Sequence, residues 1–409
     1  MIVAGLLVMN LCLAGSEVPF IGSMSRTARS QGEAMNLVVN FVPLAFLFWW
    51  SRGWPKAQIV SGALLALIGV DYLLSTVANA VEGTRYMACT FFVVLTMLTL
   101  SRGGFIAQVT THLARIAPHV TLLFAGIVTA LNVGRLSLTF YYPKSVTPDA
   151  MVHLPFVNPN LLCVQLDIVV ALVVVMLILM PTPRRGLVGV ACLVWLSNLV
   201  LATRSRGGIM ELGAMWIIAA FWLKNMFPRR FRALVMLAAV GIASLISWGS
   251  LYGAVSERLT EQYQLRRALE SRSVTADAIL QILENPKTMF FGNGAGNGGF
   301  QAKYTFDSLK TFSSHNSLVD TVAQFGIPFL ILLAAAIGAG WWSARTRILR
   351  ERWRLYLFLV WCALMVHPMS EAVFFFRFGV TPDVVRFGVF ALALWRPPRS
   401  SQFGSQVIN

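Results

Sequence analysis

The sequence predicts an all-α polytopic membrane protein: about twelve transmembrane helices with one long, partly helical loop on the outer face. Three observations predict it. Apolar residues make up 57% of the 409 residues and charged residues only 12%, about half the charged share of a soluble domain. Stretches of about 20 apolar residues recur along the chain, each long enough to cross a hydrocarbon core. The basic residues gather on alternate links, as a chain threading back and forth requires.

The spans read roughly 2–15, 36–50, 57–78, 86–100, 116–133, 161–180, 187–203, 207–223, 232–251, 316–342, 355–371 and 379–395. The start, Met1-Ile2-Val3-Ala4-Gly5-Leu6-Leu7, lacks the basic region of a cleavable signal peptide, so the first apolar stretch is expected to remain as a span. Short links carry turn and charge signals such as Arg52-Gly53-Trp54-Pro55 and Pro181-Thr182-Pro183-Arg184-Arg185. The chain has no repeat of solenoid period and no low-complexity segment. All five cysteines, Cys12, Cys89, Cys163, Cys192 and Cys362, sit in or beside apolar spans, the place of packing residues rather than of a disulfide framework.

Charge sets the orientation. With the N-terminus inside, the inner links carry Arg102 and Arg115, Arg229 and Arg230, the run from Arg345 to Arg354, and Arg396 and Arg399. Glu351 is their sole acid, whereas the outer links hold most of the acids, among them Glu17, Glu82, Glu257, Glu270 and Glu284. This asymmetry places both termini in the cytoplasm and accounts for the net charge of +16 without a nucleic-acid partner. It divides the chain into 1–251 with nine spans, an outer loop at 252–315, and 316–409 with three spans and a short tail. A loop of that length in a compact protein is usually functional. Glu257 to Leu283 lacks Pro and Gly and predicts helices that Pro286 ends, while Gly292-Asn293-Gly294-Ala295-Gly296-Asn297-Gly298-Gly299 predicts irregular backbone.

Three features near the outer face could carry chemistry. His315 follows the loop in Ser313-Ser314-His315-Asn316-Ser317-Leu318. The two serines are N-cap candidates, which puts His315 in the first helical turn, where the helix dipole favours a neutral, proton-accepting imidazole. The alternative is an interfacial histidine bonded to a loop carbonyl. Thr203-Arg204-Ser205-Arg206-Gly207-Gly208 joins two spans at the outer end, and arginines there run against the charge bias. Their guanidinium forks suit phosphate oxygens and the glycines suit close backbone approach; snorkelling to lipid headgroups is the competing account. Arg272 lies in the loop with Arg258, Arg266 and Arg267; any one fits a solvated helix face, and the set makes the outer side cationic. Of the acids within spans, Asp71, Asp167, Glu211, Asp320 and Asp383, most are expected to form structural pairs, Glu211 with one of the nearby arginines. No Asp-x-Asp pair and no cluster with metal-ligand spacing lies on an outer loop, so no metal is expected. No Walker or dinucleotide fingerprint is present, so no cofactor is expected.

Together these motifs resemble the bacterial O-antigen ligases, within the ligase/polymerase superfamily of enzymes acting on lipid-linked glycans. The resemblance rests on Arg204-Ser205-Arg206-Gly207-Gly208, on Arg272 followed by Ala276-Asp277-Ala278-Ile279-Leu280-Gln281-Ile282-Leu283-Glu284-Asn285-Pro286, on Phe291-Gly292-Asn293-Gly294-Ala295-Gly296, and on His315-Asn316-Ser317-Leu318. Phe156-Val157-Asn158-Pro159-Asn160 is a weaker element. The family's last motif ends in leucine where this chain has Val319, and a tryptophan common after the loop arginine is absent near Ala276. The likeness runs over roughly residues 135–395.

The resemblance implies a periplasmic loop, a bacterial inner-membrane location, and transfer of a glycan from undecaprenyl pyrophosphate to a sugar hydroxyl of lipid A–core oligosaccharide. It implies a metal-independent, inverting glycosyltransferase. Arg206 and Arg272 would stabilise the leaving pyrophosphate, His315 would take the acceptor's proton, and Arg204, Asn316, Arg266 and Arg267 would line the substrate site. A sister enzyme, an O-antigen polymerase or protein O-oligosaccharyltransferase, shares the donor chemistry. A transporter of lipid-linked glycan is the reading from another class, and the two related halves typical of transporters are not evident.

Overall fold

The structure is a computed structural model. It describes residues 2–13, 48–49, 104–136, 152–155, 159–224, 278–292, 300–303, 309–312, 316–370 and 380–395. Among these residues run the helices α1 (Ile2–Leu13), α2 (Phe105–Leu131), α3 (Pro159–Leu179), α4 (Pro183–Thr203), α5 (Arg206–Leu223), α6 (Pro286–Phe291), α7 (Ser317–Arg350), α8 (Arg352–Leu364), α9 (Val366–Ser370) and α10 (Val380–Leu394). A short antiparallel hairpin, β1 (Phe300–Lys303) and β2 (Leu309–Phe312), pairs Phe300 with Phe312. Of the expected spans, 57–78, 86–100, 232–251 and all of 36–50 except Phe48 and Trp49 lie outside the described residues.

The helical bundle is a membrane protein's. Four described helices are long and apolar enough to cross a bilayer: α2, α3, α4 and the Gly326–Arg350 part of α7. α3 is the hub. It is apolar all round and buried from Leu162 to Leu179, the pattern of a helix surrounded by others, and α2, α4, α5, α8 and α10 pack against it. Large side chains such as Leu122, Ile217, Phe221, Ile331 and Trp342 point outward and are exposed, the surface that lipid covers.

Helices in lipid gain little from hydrophobic burial against each other, so close packing and interhelical hydrogen bonds join them. Tryptophan N–H groups supply three such bonds. Trp195 donates to Thr129 Oγ1 at 3.1 Å, Trp216 to Ser197 Oγ at 2.8 Å and Trp222 to the Leu177 carbonyl at 2.8 Å. At the end of the bundle where α8 begins and α10 finishes, buried Arg354 donates to the carbonyls of Ala393 and Trp395 and pairs with Glu351 at 2.6 Å. A cation there answers the orphaned carbonyls and negative dipole end of α10.

Several local expectations are corrected. The fifth expected span, 116–133, begins earlier, at Phe105, so Arg115 lies within α2 and not on a link. Its 27 residues extend about 40 Å, more than the hydrocarbon core, which leaves a turn or two for polar side chains. The expected span 355–371 is interrupted at Met365. Pro368 lacks the N–H that would bond the Leu364 carbonyl, so the helix cannot run on. Pro286 opens α6 as well as closing what precedes it: Asn285 caps the helix through Thr288 N–H at 3.3 Å with Pro286 in its first turn. The hairpin adds two short strands to the loop after the glycine-rich stretch, where no element is expected; residues 293–299 of that stretch lie outside the described residues.

Candidate functional site

The tenth expected span shows how the loop meets the bundle. Its N-cap is Asn316, whose Oδ1 accepts from Leu318 N–H at 2.9 Å and Val319 N–H at 3.2 Å. The helix therefore starts at Ser317, the serines at 313 and 314 are not its cap, and His315 precedes the cap instead of occupying the first turn. Asn, Asp and Ser cap about equally well, and Asn316 is the one adjacent to the apolar run. The dipole argument for a neutral His315 loses its footing; His315 itself lies outside the described residues. So do Arg258, Arg266, Arg267 and Arg272, and Asp71 among the in-span acids; of Arg206, Asp320 and Asp383 only the backbone is described.

The last part of the loop is anchored to α7. Ala278 and Ile282 pack with Val322 and Ala323, joined by Met289 and Ile327. Gly326 makes this docking possible: it adopts φ 80°, and a Cβ there would stand 2.3 Å from the Phe290 carbonyl oxygen. No other residue tolerates both constraints.

At the same end of the bundle, where α4 finishes and α5 begins, the chain turns through Arg204 and Ser205. Arg204 is left-handed at φ 56°, a conformation that costs a non-glycine residue about 1 kcal/mol. Its N–H donates to the Leu201 carbonyl at 3.1 Å, and Thr203 Oγ1 takes the Ser205 N–H at 3.2 Å while donating to the Val200 carbonyl at 2.7 Å. Thr203, Arg204 and Ser205 are all buried. Burial of Arg204 argues against snorkelling, which needs the head group in the interface.

Under this corner lies a buried polar layer. His367 on α9 places Nδ1 2.9 Å from Asp167 Oδ2 on α3 and Nε2 3.5 Å from Ser205 Oγ. Cys163, one turn before Asp167, has Sγ 3.7 Å from the same carboxylate oxygen. Glu211 on α5 is 1% exposed, and the charged groups acting on it are Asp167, His367 and Arg386 of α10. The expected pairing of Glu211 with one of the nearby arginines involves Arg206, whose side chain lies outside the described residues. The ligand atoms of Cys163, Asp167 and His367 lie within 4.8 Å of one another, a possible metal grouping assembled from distant segments and so invisible to spacing arguments.

Gly208 has a packing role at the corner. A Cβ there would stand 2.0 Å from Cys163 Sγ and 3.0 Å from Asp167 Oδ2, so its bare backbone lets α5 close on α3.

With the corner and the docked loop in place, the comparison with known proteins becomes decisive. Residues 191–334 match the family model described as O-Antigen ligase. Over these residues the chain is similar to the O-antigen ligase family. The matched segment runs from within α4, across the corner and the loop, to the middle of α7. It contains Arg204, Arg206, Arg266, Arg267, Arg272, His315 and Asn316, every residue the motifs singled out for the site. Cys163, Asp167, His367 and Arg386 lie outside it. No curated protein and no solved structure matches the chain. The family is one of glycosyltransferase-like enzymes acting in membranes.

Proposed function

We propose that this protein is an O-antigen ligase of the bacterial inner membrane, with both termini cytoplasmic and its site at the periplasmic face. It moves a glycan from undecaprenyl pyrophosphate to a sugar hydroxyl of lipid A–core oligosaccharide. The observation that carries this reading is the family match over the segment that holds all the cationic motifs and the histidine. The charge asymmetry of the links supports the orientation.

In the reaction, the acceptor hydroxyl attacks the anomeric carbon, and the bond from that carbon to the pyrophosphate oxygen breaks. His315 takes the hydroxyl proton. Arg206 and Arg272, supported by Arg204, hold the departing lipid pyrophosphate, whose charge grows as the bond breaks; Arg266, Arg267 and Asn316 line the site. A single displacement inverts the anomeric centre. The pyrophosphate linkage carries the activation energy, and arginines supply the positive charge a metal would otherwise bring.

The test is reconstitution. Purified protein in liposomes, given undecaprenyl-pyrophosphate-linked glycan and lipid A–core, is expected to yield glycan-bearing lipopolysaccharide. Chain extension on the undecaprenyl carrier instead would make it a polymerase, glycan on a protein acceptor an oligosaccharyltransferase, and transbilayer movement without transfer a transporter.

A further inference from the structure

We infer that Asp167 and His367 are positioning residues that set the arginine-bearing corner through Ser205. The inference rests on the proposed reading, in which Arg204 and Arg206 grip the donor pyrophosphate, and it adds three residues to which that reading gives no part.

One imidazole links the two elements: His367 Nδ1 lies 2.9 Å from Asp167 Oδ2 and Nε2 lies 3.5 Å from Ser205 Oγ, so in either tautomer one ring nitrogen donates and the other accepts. The chain joins α3, α9 and the α4–α5 corner, elements separated by 162 and 200 residues in its two contacts. All three side chains are buried.

Ser205 is the telling member. It sits at the N-cap of α5, where a serine hydroxyl ordinarily accepts a backbone N–H of the first turn. Here it makes no cap bond and instead faces His367. The residue before it is left-handed and the residue after it begins the helix, so the direction of Ser205 fixes how Arg204 and Arg206 leave the backbone. Strained backbone persists where its surroundings over-determine it, and the imidazole below does so here. Cys163, Asp167 and His367 could also be read as metal ligands, and the zinc measurement below separates that reading from a hydrogen-bonded chain.

The experiment uses the full-length protein in detergent, with Ser205→Ala, Asp167→Asn and the double variant. Three quantities are measured: binding of farnesyl pyrophosphate by calorimetry, donor-dependent kcat/KM of transfer, and thermal unfolding. Each single variant is expected to weaken farnesyl pyrophosphate binding about tenfold and to lower kcat/KM by about 10–10²-fold, the scale of a displaced binding group. The double variant is expected to match the worse single, because both changes break one chain. Ser205→Ala removes one hydroxyl and little volume, so it carries the test even where Asp167→Asn does not fold. A folded Ser205→Ala protein that binds and transfers like the wild type overturns the inference, as does simple additivity of the two changes. A lower unfolding temperature with unchanged binding reduces the chain to scaffolding, and zinc retained by the wild type but lost in Asp167→Asn replaces it with a metal site. Wild-type protein that ignores farnesyl pyrophosphate and transfers nothing refutes the ligase reading itself, and this inference falls with it.

Discussion

Replacing Gly208 with alanine adds one methyl group at the tightest helix contact under the corner. The new Cβ would lie 2.0 Å from Cys163 Sγ and 3.0 Å from Asp167 Oδ2. Carbon rests against such atoms at about 3.5–4.0 Å, so α5 must withdraw from α3 by about 1.5 Å. Cysteine has one short side-chain bond to rotate and is buried, so the thiol has little room to yield. Overpacking of this kind costs about 1–3 kcal/mol, and the upper end is expected here. The same withdrawal carries Ser205 away from His367, so transfer should fall further than folded protein does. Cys163→Ala removes the sulfur that collides, and the double variant should regain most of both losses. Gly213 on the same helix is the control: a Cβ there meets nothing within 4 Å, and alanine should be neutral or stabilising by about 0.5–1 kcal/mol. Thermal unfolding in detergent and the transfer assay read both effects. A Gly208→Ala protein with wild-type stability, or a double variant as impaired as the single, refutes the packing argument.

Other outcomes follow from the same reasoning. Arg206→Ala and Arg272→Ala should each abolish transfer at normal membrane levels, and lysine should rescue poorly because it lacks the bidentate fork; full activity of both alanine variants removes them from the mechanism. Transfer should persist in excess chelator, and a loss restored by magnesium or manganese would show that a metal takes part. His315→Ala should lower turnover by about 10²–10⁴-fold, the usual scale for a general base, with donor binding little changed and the acid limb of the pH–rate profile gone; near-normal turnover excludes it as the base. Arg354→Ala should destabilise the folded protein by about 1–3 kcal/mol, because the Ala393 and Trp395 carbonyls lose their buried donor, and a wild-type unfolding temperature would contradict this.

Hydrophobic runs make the membrane class and the inner spans legible. The expected span 161–180 is α3, Pro159–Leu179, and 379–395 is α10, Val380–Leu394, because a fully apolar run ended by proline or charge has one register. Helix ends are less legible where several residues could do the same work. Ser313, Ser314 and Asn316 are all competent caps, and only the structure selects Asn316. The early start of α2 is hidden because Gln108, Thr110 and Thr111 look like link residues. In the helix, the two threonines return their hydroxyls to the Ile106 and Ala107 carbonyls at 2.9 and 2.8 Å, which lets them sit buried. The break at Met365 is written in Pro368, whose effect reaches four residues back.

The polar layer under the corner is legible in its members and not in their assembly. Asp167 and Glu211 stand out in the sequence as costly acids, and His367 falls near the end of its span, but the contact between Asp167 and His367 crosses 200 residues. The usable signal is depth. In alternating spans, Asp167 lies two turns into α3, Glu211 one to two turns into α5 and Arg386 under two turns into α10, while His367 follows α8; each stands at the same end of the bundle. Ionisable groups at one depth in a low-dielectric slab must meet each other or remain uncompensated. By that rule the four side chains predict one layer, and the layer belongs beneath the described link that carries two arginines, Arg204 and Arg206. Cost and position together therefore explain why the buried groups Asp167, Glu211, His367 and Arg386 gather at the end of the bundle where the chain turns from α4 to α5, a link inside the matched segment.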